Sequence, residues 1–297
     1  MIDTTDLRRQ LAVLAADSLQ GRLAGTPGAD RAAAYLAARL ADLGLEPAGT
    51  DGAFLQRFAM PAVGGTGADS TQNVVAIVRG TEPGLAGEYV ALGAHYDHLG
   101  MGAPVAGDSI YNGADDDGSG TVALLEVAEA LSRGPRPRRS VLLVLHGGEE
   151  EGLLGSFYFT LRPTVPRDSI VAQLNVDMLG RNAPDSLAVI GAGRVSSELD
   201  SIVRRQAANE GLALDFTYDA PDHPERLYYR SDHYNYAQYG IPVAFFFAGL
   251  HPDYHMPSDE IDKIEFAKVQ RSARLLYRVA WELANRPAAP VRDKLAP

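Results

Sequence analysis

Val141 to Leu145, within SVLLVLHGG, is apolar at every position. A strand with one wet face alternates apolar and polar residues, so an unbroken run of this kind needs cover on both faces. That requirement points to a parallel or mixed sheet enclosed by helices. NVVAIVRG, EYVALGAH, SIVAQLNVDM, SLAVIG and IPVAFFFAG read as strands in the same way. Between and around them, apolar residues recur at helical spacing in DLRRQLAVLAAD, GADRAAAYLAARLADLGL, GTVALLEVAEALSRG, VSSELDSIVRRQAANEG and FAKVQRSARLLYRVAWELAN, with Gly44 and Gly211 placed as stops. Strand and helix in turn predict an α/β fold: a central mixed, mostly parallel β-sheet flanked by helices on both faces. The span 1–297 reads as one domain, opened by helices within 1–45 and closed by a loose tail over 286–297. AVGGTGADSTQ and PDHPERLYYRSDH read as loops.

Composition removes several classes of function. No stretch of the 297 residues reaches the apolar length of a membrane span. A formal charge of -11 disfavours nucleic acid and anionic membranes as partners. With no cysteine there is neither a disulfide framework nor a thiolate metal ligand. MIDTTDLRRQ lacks the apolar core of a signal peptide, so none is expected in this chain.

The strand candidates share a second property, because acids and histidines collect where they end. His95 and Asp97 follow one strand in ALGAHYDH, Glu149 to Glu151 follow another in LLVLHGGEEEG, and Asp177 closes AQLNVDMLG. Asp115 to Asp117 sit in NGADDDGSGT just before a helix, where free backbone amides favour carboxylates, and PDYHMPSDE adds His255. In open α/β sheets, ligands bind beyond the carboxyl ends of the strands, where three of these clusters converge. Carboxylates mixed with imidazoles suit a catalytic zinc site better than a structural one.

Each cluster alone has a plainer account. DDDGSG is a common helix cap, EEE a common solvated run, and a single histidine an ordinary core or surface residue. That account does not explain why GGEEEG and NVDM terminate buried strands, where an unpaired carboxylate is costly. Other chemistries fail on spacing. DDDG lacks the alternating acids of a calcium-binding EF loop, whose first slot would be Gly113. There is no HExxH and no GxSxG, and Ser231 to His233 are too close in sequence to form a triad. His98, His146, His223, His233 and His251 are left as surface residues or as side chains supporting the ligands.

Taken together, the motifs from about Asn73 to Glu265 resemble the di-zinc exopeptidases that include secreted bacterial leucyl aminopeptidases, with glutamate carboxypeptidase and glutaminyl cyclase as relatives. LQGRLAGTPGADRAAAYLAARLADLGLEP also resembles that family's N-terminal helices. The resemblance implies two Zn2+ per chain, one held by His95 and Asp177 and the other by Glu150 and His255. Asp116 and a water or hydroxide would be shared. Glu149 becomes the general base, and Glu151 points elsewhere. Asp97 is expected to accept the second imidazole N–H of His95 and fix its tautomer. Tyr254 and Arg230 are candidate donors to a substrate carbonyl.

The implied activity is hydrolysis of the N-terminal peptide bond, with the free amine bound near Glu149 and Asp177. Leu227 to Arg230 and Ala244 to Phe247 are candidates to line a pocket for the first side chain. The alternative is a carboxypeptidase, another amide hydrolase or a glutaminyl cyclase on the same scaffold. A carboxypeptidase should show a cationic cluster, for which Arg181 and Arg230 are the evident candidates. The resemblance also implies a secreted or periplasmic setting, with the cytoplasm as the other reading, and it leaves the oligomeric state open.

Overall fold

The computed structural model describes residues 2–60 and 70–294. Its strands are β1 (Glu46–Pro47), β2 (Leu55–Ala59), β3 (Ser70–Val78), β4 (Tyr89–His95), β5 (Gly100–Val105), β6 (Asp108–Tyr111), β7 (Ser140–His146), β8 (Ile170–Asp177), β9 (Ser186–Ile190), β10 (Ala213–Asp215) and β11 (Val243–Phe247). The helices are α1 (Thr4–Leu14), α2 (Pro27–Asp42), α3 (Gly120–Arg133), α4 (Leu154–Leu161), α5 (Ala192–Val195), α6 (Ser197–Glu210), α7 (His233–Ala237) and α8 (Phe266–Asn285). Nine strands form one sheet in the order β1-β3-β7-β4-β8-β11-β9-β10, with β2 beside β1 on the same edge of β3, and β5 and β6 form a separate hairpin. The central strands β7, β4, β8 and β11 are mutually parallel, while β3 and β9 flank them antiparallel. The expected mixed sheet is therefore present, with its parallel part at the centre.

Side-chain alternation explains the unbroken apolar runs. Val141, Leu143 and Leu145 of β7 pack with Val90, Leu92 and Ala94 of β4 under α1, α3 and α8. Leu142, Val144 and Ala91 face the opposite layer, where Phe159 of α4 and Tyr236 of α7 lie. By the same period of two, His95 and Asp177 end their strands on the α4 and α7 side. Among the described residues, no helix is long and apolar enough to cross a membrane.

Three sequence expectations change. Thr71 and Gln72, read as loop, are buried in β3, and residues 62–69 of AVGGTGADSTQ lie outside the described residues. The strand β2, the β5 and β6 hairpin and α4 were not anticipated. Residues 286–294 do not form a loose tail. Arg139 donates to the carbonyls of Arg286 and Pro287, Arg292 to that of Ile170, and Asp293 accepts from the Ser197 amide and hydroxyl. Polar side chains fasten this segment across the amino-terminal ends of the parallel strands, a contact that hydropathy does not reveal.

Candidate metal centre

Beyond the carboxyl ends of the parallel strands lies a pocket lined by His95, Asp116, Glu149, Glu150, Asp177 and His255 on one side. Met178, Leu227, Phe245, Phe247 and Leu250 line the other, with Arg230 and Tyr254 also at the wall. Parallel β4, β7 and β8 deliver His95, the glutamates and Asp177 to the same end of the sheet because they run in register.

Asp116 lies between two groups. Its Oδ1 is 3.3 Å from His95 Nε2, which is 3.5 Å from Asp177 Oδ1. Its Oδ2 is 3.2 Å from His255 Nε2, which is also 3.2 Å from Glu150 Oε2. Ligands bonded at 2.0–2.1 Å in a tetrahedron stand about 3.3 Å apart, so all four separations fit pairs of donors around a common ion. Asp177 Oδ1 has no hydrogen-bond partner in its buried position. The donor set is thus suited to two divalent ions sharing Asp116, and it contains the nitrogen and carboxylate ligands that zinc accepts.

Neighbouring side chains hold these donors in place. Ser231 Oγ donates to Asp177 Oδ2 at 2.9 Å and accepts from Asn175, whose oxygen accepts from Gln173. These three polar residues of β8 lie two apart on one face and form a buried relay with Ser231. Asp117 Oδ1 accepts from the amides of Gly120 and Met178, and its Oδ2 from that of His95, tying the start of α3 to the ends of β4 and β8. Asp259 Oδ2 accepts the amides of Asp115 and Asp116. None of Ser231, Asp117 or Asp259 was singled out from the sequence as a support, because each contact joins distant segments.

Electrostatics separate the two glutamates. Burial pushes the Glu149 carboxyl well above its usual range; His95 pulls it down, while Glu150, Asp177 and Asp232 push it further up. Burial and Asp116 also push Glu150 up, but hydrogen bonds with His255 and His98 hold it below the usual range. Burial would lower the His255 imidazole, yet Asp116 and Glu150 keep it up at about 10.

Two expected details differ. Asp97 Oδ1 is 3.7 Å from His95 Nδ1, too long for a hydrogen bond, because the carboxylate is turned to accept the amides of Glu149 and Glu150. Asp97 therefore holds the glutamate loop, and His95 Nδ1 has no partner. Glu151 is half-buried rather than fully solvated, although it does not line the pocket. Tyr254 stacks on His255 at 3.8 Å between ring centroids, and its hydroxyl is 3.3 Å from Arg230 Nη2.

Residues 73–280 match the model of peptidase family M28. The chain belongs to peptidase family M28. A relative described as a probable leucine aminopeptidase from Arthroderma benhamiae is 31% identical over 218 residues, covering 70% of this M28 chain and 57% of that protein. Leucine aminopeptidase 1 of Ajellomyces dermatitidis is 32% identical over 224 residues, 69% of this chain and 55% of its own. The M28 chain thus spans little more than half the length of these relatives. Among solved structures, BSAP, a zinc aminopeptidase from Bacillus subtilis, superposes with a TM-score of 0.76 at 17% identity, covering 96% of each chain. A glutaminyl cyclase from Bacteroides thetaiotaomicron does so with 0.73 at 16% identity, covering 95% of this chain and 98% of that one. At these identities the likeness is one of fold.

Proposed function

We propose that this M28 chain is a metal-dependent aminopeptidase, with one zinc held by His95 and Asp177, a second by Glu150 and His255, and Asp116 shared. The carrying observation is the division of the Asp116 carboxylate, one oxygen facing each group at 3.2–3.3 Å. Zinc bound there would acidify a water and polarise the scissile carbonyl. Glu149, buried and 3.9 Å from His95 Nε2, is placed to take a proton from the attacking water and return it to the leaving amine. Glu149 and Asp177 offer carboxyl oxygens to a free amino terminus, while Phe245, Phe247, Leu227 and Leu250 offer an apolar wall to the first side chain. Arg230 and Tyr254, both on the pocket wall and 3.3 Å apart, are the candidate donors to a carbonyl oxygen that develops charge.

The carboxypeptidase alternative has less support. Arg181 is paired with Asp253 at 2.7 Å and Arg230 with Glu225 at 2.7 Å, so both cations already have acidic partners. Peptides with a free amino terminus should be cleaved only when zinc is present, and N-acetylation should abolish turnover while C-terminal amidation leaves it unchanged. Cleavage of acetylated but not amidated peptides would replace this reading with carboxypeptidase activity. Cyclisation of N-terminal glutamine without hydrolysis would replace it with a cyclase.

A further inference from the structure

His98 carries no assigned role, yet its ring is fully buried beside the proposed metal position. Nδ1 lies 2.8 Å from Glu150 Oε1, and the ring meets His255 edge-on at 5.8 Å between centroids. The ring packs against the backbone of Gly113, where an added Cβ would come within 2.5 Å of its Cδ2 and Cγ, so this seat requires glycine. A bare nitrogen facing a carboxylate oxygen at 2.8 Å would set lone pair against lone pair, so Nδ1 carries the proton and donates it. The oxygens of Glu150 are thereby divided, with Oε1 taken by His98 and Oε2 left facing His255 Nε2 at 3.2 Å.

We propose that His98 is a positioning residue for Glu150. Its Nδ1–H bond confines Glu150 to single-oxygen ligation at the position shared with Asp116 and His255, and so sets how tightly that position holds its ion. The inference rests on the metal reading above. Direct ligation by His98 fits less well. His255 Nε2 is equidistant, at 3.2 Å, from its two carboxylate neighbours, whereas His98 Nδ1 lies 2.8 Å from Glu150 and 3.9 Å from Asp116. An imidazole that hydrogen-bonds a ligand orients it, and loss of such a partner commonly costs about 10–100-fold in metal affinity.

The test is a stepwise titration of the zinc-loaded full chain with a chromogenic chelator, which resolves the affinities of the two ions. X-ray absorption at the zinc edge then counts imidazoles. His98→Leu keeps the bulk and removes the donor. His98→Asn places an amide N–H near the position of Nδ1, and His98→Ala serves if the leucine variant does not fold. The expected result is a loss of about 10–100-fold for one ion only in His98→Leu, an unchanged imidazole count, and recovery in His98→Asn. Zinc binding in His98→Leu that matches the wild type would overturn the proposal. So would a lost imidazole with no recovery by asparagine, since that marks a direct ligand. His255→Ala separates the two layers of the argument. If the wild-type chain binds no zinc, or His255→Ala still binds two ions with wild-type affinity, the metal reading itself fails. If His255→Ala loses an ion while His98→Leu does not, only the role of His98 falls.

Discussion

Glu149, Glu150 and Glu151 are consecutive in the chain and meet three different environments. Glu149 faces His95 inside the pocket, Glu150 lies between His98 and His255, and Glu151 lines no part of it. Glu149→Gln is expected to keep both ions and lose about 10²–10⁴-fold in kcat, the usual worth of a positioned base. Glu150→Gln should lose an ion, and Glu151→Gln should stay near wild type. Measuring kcat and zinc content in parallel checks all three, and a severe loss confined to Glu151→Gln would show the proposed register to be wrong. Periodicity placed the triplet at a strand end but could not say which glutamate turned inward. Only the resemblance around it assigned the register. Ser231 escaped both routes, and His98 was left between surface and support with no partner named, because their meaning lies in contacts with Asp177 and Glu150 more than fifty residues away.

The central strands were legible because burial on both faces leaves a continuous apolar record, and the long helices because each shows a polar stripe. β2 and α4 left weaker traces. β2 is five residues of alternating exposure at the edge, and α4 begins after a left-handed Leu153 with no side-chain cap while exposing Phe157 and Leu161. The turn between β7 and α4 is held by close backbone approach. At Gly147 a Cβ would meet the Gln72 carbonyl oxygen at 2.4 Å and the Tyr96 hydroxyl at 2.8 Å. Gly147→Ala is therefore expected to cost about 1–3 kcal/mol, as overpacking does. It should also depress kcat beyond what that loss explains, because the displaced loop carries Glu149 and Glu150. Denaturant unfolding alongside kinetics tests this, and unchanged stability would mean that the approach is looser than these distances imply.

At the scale of the whole molecule, Asp116, Glu149, Glu150 and Asp177 crowd one end of the sheet. Like charges there repel unless cations intervene, so chelation should lower Tm and zinc should restore it, by about 3 kcal/mol at a hundredfold excess over Kd. A Tm indifferent to chelator would contradict that. A second response belongs to acid. His233 is fully buried against Phe245, with no hydrogen-bond partner on either nitrogen, and burial holds its imidazole down at about 3. In the unfolded chain it titrates near 6.5. Between these values the unfolded state binds the extra proton, so stability falls as pH drops through that window and is fully present above it. The contribution is roughly 3–5 kcal/mol at about 1.4 kcal/mol per unit. His233→Phe should flatten the dependence of Tm on pH between about 6.5 and 4, and an identical slope in both proteins would assign acid sensitivity elsewhere.

The sharing of Asp116 by two groups also has a consequence in time. His95, Asp116 and Asp177 are all made before residue 178, whereas His255 belongs to the final fifth of the 297 residues. At about 5–20 residues per second, roughly four to sixteen seconds separate the synthesis of Asp177 from that of His255. Ser231, which donates to Asp177, and Asp259, which accepts the amides of Asp115 and Asp116, are also made after Asp177, so the donors present by then still lack the side chains that hold them. With the ions held as proposed, loading would wait for the carboxyl-terminal part of the chain, and the nascent chain would stay inert until His255 and Asp259 had both arrived.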